Sequence, residues 1–392
     1  MQILNRHHIE GRWPANAVYI GRGTPFGNPS SVQEAGSREQ AIADYRYHLE
    51  SVIGRVERGT ADARDRATYD AIRGLREHYD LVCSCAPKPC HGHVIREIWE
   101  SRFKDRPLVF VFGSNLAGRH GRGAADYAKQ VFVAAAGVGE GPTGSAYALP
   151  TKDAAMNTRP LDQIAVSAAR FIAYAKEHPE ITFRLTRVGC GLAGYSDRHI
   201  APLFVDLPAN VDAPPEWAPY LPMDLPAHRL LIAGSRSFDR SDLVEQVIDR
   251  AIAAVGAESM AVISGLARGA DQIGKAVAER RGIPVLEYPA DWADMAVPLA
   301  RPKQRRDGTI YNANAGHNRN VHMGMAATGA VLFWDHQSPG TRQMGTFMRA
   351  LGRPVFAVDT RQASPRLPVF RSVEGRGVAE QQISPDQSPR PG

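Results

Sequence analysis

The chain has 392 residues, 43% of them hydrophobic and 22% charged, with a formal net charge of +6. That length exceeds one ordinary core and predicts two or three globular parts, while no apolar run approaches the roughly 20 residues that cross a bilayer. The opening MQILNRHHIEGRW lacks an apolar signal core, and four cysteines, three of them between Cys83 and Cys90, do not make a disulfide framework, so a cytoplasmic protein is expected. The basic balance suits an anionic ligand without separating a small nucleotide from a nucleic acid.

In the first part, residues 1–104, Ala17–Ile20 reads as a short strand and Arg38–Arg55 as a helix with Ile42, Tyr45, Leu49 and Ile53 on one face. A second strand, Leu81–Cys83, runs directly into Cys85, Pro87, Cys90 and His91. Between them lies GRGTPFGNP, Gly21–Pro29, where glycine permits positive φ and lets the main chain approach a ligand. Arg22, between two glycines at a strand end, is a candidate for bidentate phosphate binding. Cys83, Cys85, Cys90 and His91 leave three readings open: small buried hydrophobes, a thiol site served by His91, or metal ligands. Their spacing lacks two separated knuckles, so no metal is expected. Together GRGTPFGNP and CSCAPKPCHG resemble a small family of unknown function found in phages and bacteria, over most of residues 15–98. That resemblance implies no chemistry, and it makes a bacterial host cytoplasm the expected setting for a phage-encoded chain.

A charged, proline-ended break at Arg102–Pro107 opens the second part, 107–206. Strand Leu108–Phe112, a glycine-rich loop, helix Asp126–Ala135, strand Tyr147–Leu149, helix Leu161–Ala175 and strand Thr182–Val188 predict a three-layer α/β unit with a mainly parallel sheet. Its two glycine loops, FGSNLAGRHGRGAA at Phe112–Ala125 and GCGLAGY at Gly189–Tyr195, fall after strands, at the edge where such sheets bind ligands. These loops resemble those of macrodomains, the ADP-ribose-binding module. The resemblance implies ligand contacts at Gly113, Ser114, Gly121, Gly123, Lys152, Gly189, Gly191, Gly194 and Tyr195, with Asn115 orienting the ribose next to the scissile bond. His120 reads as a general base, a phosphate contact or a solvated loop residue. Thr151 and Asp153 read equally as site residues or helix caps, and Asp153 completes a catalytic set with Asn115 and His120. Arg119, His120 and Arg122 interrupt a glycine run that is plainer in the family.

Residues 207–227 hold six prolines, Pro208, Pro214, Pro215, Pro219, Pro222 and Pro226, and predict a linker without helix or central strand. In the third part, 228–360, strands His228–Ala233, Ala261–Ser264, Pro284–Tyr288, Gly329–Trp334 and Pro354–Val358 alternate with helices, which predicts a Rossmann-like doubly wound sheet. Gly234, Ser235 and Arg236 end the first strand; Gly265, Arg268, Gly269 and Asp271 follow the second; Asn318 and Arg319 lie in AGHNRN; Gly340 and Thr341 lie in SPGT. Helix starts at Gly269 and Gly340 would present free N–H groups to an anion, with Asp271 on a ribose hydroxyl and Arg319 on a phosphate. GSRSF, SGLARGAD, PADW, AGHNRN and SPGT together resemble the SLOG superfamily, in particular its YspA-like branch. Its relatives include nucleoside-monophosphate phosphoribohydrolases, DNA-processing protein A and nucleotide sensors. Gln343 and Met344 stand where the phosphoribohydrolase motif carries a glutamate. The polar, proline-rich tail 361–392 predicts disorder.

The expectation is therefore a multidomain α/β protein that binds an NAD- or ADP-ribose-like nucleotide and hydrolyses a ribosyl linkage, in phage nucleotide metabolism or counter-defence. Its alternatives are a non-catalytic nucleotide sensor or sponge, and DNA-processing-like binding of nucleic acid, which no aromatic-plus-basic platform favours. No membrane partner is expected.

Overall fold

The computed structural model describes residues 1–373 and 376–379. Contacts divide the chain into two compact units. The first comprises Met1–Arg159, Arg170–Asp197 and Leu207–Trp217; the second comprises Pro160–Ala169, Arg198–Asp206 and the chain from Ala218 onward. The architecture is α/β with parallel sheets in both.

In the first unit, β1 (Ile3–Asn5), β2 (Ala17–Tyr19) and β3 (Asp80–Cys83) form a parallel sheet in the order β1-β3-β2. Around it lie α1 (Val32–Ala35), α2 (Arg38–Glu57), α3 (Ala63–Arg73) and α4 (His91–Arg102). Helix α2 buries Ala41, Tyr45, Leu49, Val52 and Ile53, the face its spacing defines. A second sheet follows, from β4 (Leu108–Asn115), α5 (Gly123–Val131), β5 (Gly141–Thr143), β6 (Ala146–Lys152), β7 (Thr182–Leu185) and β8 (Val211–Asp212); of the intervening helices α6 (Leu161–Glu177) and α7 (Asp197–Ile200), only the part of α6 from Arg170 and the first residue of α7 belong to this unit. Its order is β5-β6-β4-β7-β8, parallel except at β5. Central β4 is an almost uninterrupted buried run, as a parallel strand covered on both faces must be.

The break at Arg102–Pro107 separates two sheets but not two cores. Tyr69, Ile72 and Phe103 before it and Phe110, Phe132 and Ala148 after it belong to one buried cluster. The Tyr79 hydroxyl pairs with that of Ser145 at 2.8 Å, and Arg184 grips Asp70 at 2.8 and 3.1 Å. Helix α5 starts earlier and ends sooner than its apolar pattern suggests, because the chain turns at Val133, which takes φ 57. The proline-rich stretch is also more than a linker. Val211 pairs with Phe183 at the sheet edge, where proline neighbours are tolerated, and Trp217 is fully buried with its Nε1 donating to Asp197 at 2.7 Å.

The second unit contains β9 (His228–Gly234), α8 (Ser241–Val255), β10 (Met260–Ser264), α9 (Ala270–Arg280), β11 (Val285–Glu287), the short antiparallel pair β12 (Pro302–Gln304) and β13 (Ile310–Asn312), α10 (Ala315–Ala326), β14 (Gly329–Trp334), α11 (Pro339–Ala350) and β15 (Val355–Asp359). The sheet order is β11-β10-β9-β14-β15, all parallel, which is the Rossmann-like winding. Val244, Val247 and Val277 of α8 and α9 cover one face; Met323, Ala326, Met344 and Met348 of α10 and α11 cover the other. Chain order reverses between β9 and β14, where such sheets can open; here their carboxyl ends stay bonded, the Ser235 N–H to the Phe333 carbonyl at 2.9 Å and the Asp335 N–H to the Ser235 hydroxyl at 3.2 Å.

The expected disorder from residue 361 is corrected as far as residue 373. Leu367 is buried against the α8 side of the core, Arg240 and Arg250 donate to the carbonyls of Ala363 and Pro368, and β16 (Phe370–Val373) pairs with β17 (Arg376–Ala379). Residues 380–392 of that tail lie outside the described residues.

Candidate functional site

At the carboxyl edge of the second unit's sheet, a cleft of about 290 Å³ is lined by Arg236, the loop Gly265–Arg268, Pro289, Ala290, Trp292 and Arg319. The loops after β9 and β10 are tied together by Asp271, whose carboxylate accepts backbone N–H groups of Gly234, Gly265 and Ala267. Burial pushes this acid up to about 6, and the neighbouring Arg319 guanidinium opposes the shift. Arg319 donates to the Gly265 carbonyl and to Asn320. Ser264 completes the tie: its hydroxyl donates to the Asp271 carbonyl at 2.8 Å and accepts the N–H of Leu266, which sits at φ 60. The outcome is a rigid rim on which Arg236 and Arg268 carry no hydrogen bond or ion pair among the described residues.

Several residues expected at this edge serve the fold instead. The Ser235 hydroxyl accepts the Asp335 N–H at 3.2 Å and is buried. Helix α11 begins one residue before Gly340, and its cap is Ser338, whose hydroxyl takes both the N–H and the hydroxyl of Thr341. Ser338 thus takes one of the N–H groups at that helix start, and a side chain on Gly340 would meet open space. Gly269 caps α9 at φ 81, and Asn318 lies in the first turn of α10. Trp292, within PADW, faces the cleft, although the sequence reading gave it no role.

In the first unit, the loops after β4 and β7 adjoin: a side-chain carbon on Gly113 would lie 3.6 Å from the Gly189 nitrogen and from the Thr151 hydroxyl. Asn115 folds back on its own loop, its amide donating to the Arg119 carbonyl and accepting the Arg119 N–H at 2.8 and 3.1 Å. Ser114 donates to Gly139, and Lys152 to Met156. Tyr195 is buried and donates to Arg159 at 2.9 Å. Asp153 closes a turn through Asn157, and those bonds hold its carboxyl below the usual range. His120 is not solvated, and its Nδ1 has no hydrogen-bond partner among the described residues. It is buried, stands edge-on to Phe112 at 5.1 Å, and bonds the Ala135 carbonyl at 3.1 Å, with burial pushing its pKa down. Gly121, Gly123 and Gly191 have open space where a side chain would begin, and Gly194 sits at φ 81.

The first sheet gathers the N-terminal candidates. A cavity of about 330 Å³ is lined by Arg22 and Arg38 on one side and by Cys83, Cys85, Cys90 and His91 on the other. Cys83 and Cys90 place their sulfurs 3.5 Å apart, and the Cys85 N–H donates to Cys83 at 3.3 Å. Cys90 keeps the shared proton and is pushed up, whereas its hydrogen bond and the backbone donors pull Cys83 down to about 5. His91 is spent elsewhere: its Nε2 donates to the Ile20 carbonyl at 2.7 Å, and burial keeps it neutral. Among the described residues no group of three or more His, Cys, Asp or Glu is arranged to hold a metal.

Comparison with known proteins follows this division. Residues 4–101, which carry the thiol cavity, match the family described as domain of unknown function DUF4326. An uncharacterised 12.4 kDa protein of the nrdA–td intergenic region of Enterobacteria phage T4 is 40% identical over 88 residues, 22% of this chain and 71% of that protein. The chain belongs to the DUF4326 family. Residues 228–294, which carry most of the arginine cleft, match the YspA, cpYpsA-related SLOG family. Among solved structures, DNA processing protein A of Streptococcus pneumoniae is 18% identical, with a TM-score of 0.25 over 33% of this chain and 49% of that one. The chain spans about half of that protein, and a likeness of this size carries no argument.

Proposed function

We propose that this protein binds a nucleotide at the carboxyl edge of the second unit's sheet, with Arg236 and Arg268 on its phosphate and Trp292 against its base or ribose. The observation that carries the reading is a pair of guanidinium groups without protein partners among the described residues, on a rim fixed by Asp271 and Ser264, over the carboxyl ends of β9, β10 and β11. Arg319 holds the loop in shape and reaches the same cleft, so it serves both roles.

The finer reading is an NAD- or ADP-ribose-derived ligand whose ribosyl linkage is hydrolysed over the glycine loops after β4 and β7. It is supported by the resemblance of those loops to macrodomain loops and by the open space at Gly121 and Gly191. With Asn115 engaged in its own loop and His120 buried, such a reaction would draw on ribose orientation and backbone donors more than on a side-chain base.

The test is the full chain incubated with AMP, NAD and ADP-ribose, with calorimetry for binding and mass spectrometry for turnover. Arg236→Ala and Arg268→Ala should each weaken nucleotide binding about tenfold, roughly 1.4 kcal/mol, and leave the ligand-free melting temperature unchanged. Unaltered nucleotide affinity in both variants, with steeply salt-dependent binding of single-stranded DNA instead, would sink the nucleotide reading.

A further inference from the structure

The loop Gly21–Pro29 separates two cavities. The thiol cavity lies on one side; on the other is one of about 520 Å³, lined by Arg22, Asn28, Glu34, His48, Arg64, Thr68 and Tyr127 among others. Arg22 and Asn28 line both. The loop is held in place from below, since Phe26 is fully buried and its carbonyl accepts the Tyr45 hydroxyl at 2.6 Å, while the Thr68 hydroxyl donates to the Pro25 carbonyl at 3.0 Å. Gly27 has no room for a side chain, because one would begin 2.9 Å from the Arg22 backbone. Thr24 closes the turn onto the Gly21 carbonyl.

Three groups around this rigid loop are left with nothing to do. Arg22 and Arg64 make no hydrogen bond or ion pair among the described residues. Tyr127 lines the cavity, and its hydroxyl is shielded from solvent with no hydrogen-bond partner among the described residues. A buried hydroxyl without a partner is destabilising, and native structures rarely keep one without a reason. The acid on the same wall, Glu34, accepts the Ser31 N–H at 2.8 Å, and the Ser31 bonds together with the Arg22 charge hold its carboxyl below the usual range; burial and the Arg55 and Arg64 charges lower His48 against the opposing pull of Asp65. Two cations without partners among the described residues, against one carboxylate that is itself bonded to Ser31, describe a place for an anion joined to a polar body.

We propose that the Gly21–Pro29 loop is the floor of a binding site for a phosphate-bearing small molecule, gripped by Arg22 and Arg64, whose polar body meets the Tyr127 hydroxyl. Tyr127 lies on α5, beyond residues 4–101, so the segment that shares the first core also completes this site. The site is separate from the arginine cleft of the second unit, and it stands or falls apart from the nucleotide reading of that cleft.

The experiment is calorimetry of ribose 5-phosphate on the full chain, with inorganic phosphate and AMP as competitors. Ribose 5-phosphate should bind, Arg22→Ala should weaken it at least tenfold, and Arg22→Lys should recover part of the loss because charge survives without the bidentate fork. Tyr127→Phe should weaken binding several-fold and leave the ligand-free melting temperature equal or higher, since it removes an unpaired hydroxyl. Arg236→Ala should change this affinity less than twofold. Inorganic phosphate should compete, marking the phosphate as the shared element. Absence of binding by ribose 5-phosphate, phosphate and AMP up to millimolar concentration, or equal affinity in Arg22→Ala, would overturn the proposal.

Discussion

The glycines after β9 and β10 and the pair Gly121 and Gly191 after β4 and β7 read alike in sequence, and their surroundings are opposite, although Gly118 in the β4 loop is packed against the Gly137 backbone. A side-chain carbon on Gly234 would lie 2.3 Å from the Phe333 carbonyl oxygen, one on Gly269 would lie 2.3 Å from that of Ser235, and one on Gly265 would run into Arg319. Gly121 and Gly191 face open space, at φ values any residue adopts. In the first set the protein itself fills the room that glycine provides. In the second the room is empty, so either a ligand requires it or nothing does. A glycine-rich loop thus signals close approach without saying what approaches, and only the arginines tell the cleft apart from a tight turn.

The largest effect expected from this contrast is in the filled set. Gly269→Val combines a positive φ of 81 with a clash against backbone that cannot move aside, and should destabilise the second unit by at least about 4 kcal/mol. Denaturant unfolding followed by amide exchange in β9 and β10 measures it. A loss below about 1 kcal/mol would mean that the loop relaxes, and the contrast would lose its first half.

Acid gives the next test, because the cleft's support contains two groups whose contributions oppose each other. Asp271, raised to about 6, stays protonated in the folded state at a pH where the unfolded chain has ionised, so it adds stability as pH falls from 6 toward 4 and loses it above 6. His322 on α10, partly buried and bonded to the His199 carbonyl, is lowered to about 4, so it stabilises above its unfolded value near 6.5 and loses that contribution as pH falls toward 4. Each is worth about 3 kcal/mol, so these two contributions nearly cancel over that window. In His322→Gln the amide still donates to the carbonyl and cannot take a charge. That variant should gain about 3 kcal/mol between pH 6.5 and 4, read by urea unfolding of the second unit. A flat profile in the variant would remove Asp271 from the account.

How much of this was legible in the residues follows from the range of each interaction. The Rossmann-like winding was readable because strands His228–Ala233, Ala261–Ser264 and Gly329–Trp334 are local apolar runs between glycine punctuation, each a property of a few neighbours. Arg22 beside the cysteines was half readable, since both motifs end adjacent strands. The single core across Arg102–Pro107 was not, because Asp70 meets Arg184 across 114 positions. Tyr127 carried no signal either: a tyrosine on an amphipathic helix is a core residue until the fold shows its hydroxyl unpaired. Ser235 and Thr341 share a related ambiguity. Their hydroxyls suit a ligand as well as a helix cap, and only coordinates show which partner came first.

The smallest expected effect is the one that decides the open set. Gly191→Ala and Gly191→Val each place their added atoms in solvent at an ordinary φ, so the fold should lose no more than about 0.5 kcal/mol. Binding should separate them. If the main chain at Gly191 lies against a diphosphate, the β-carbon of alanine should weaken ADP-ribose severalfold, and the branched valine should abolish it while the melting temperature stays put. Calorimetry on the full chain, in an Arg236→Ala background that silences the other cleft, isolates the contribution of this loop. ADP-ribose bound equally by glycine, alanine and valine would show that nothing comes close to residue 191, and the macrodomain-like reading of the second sheet would have to be abandoned.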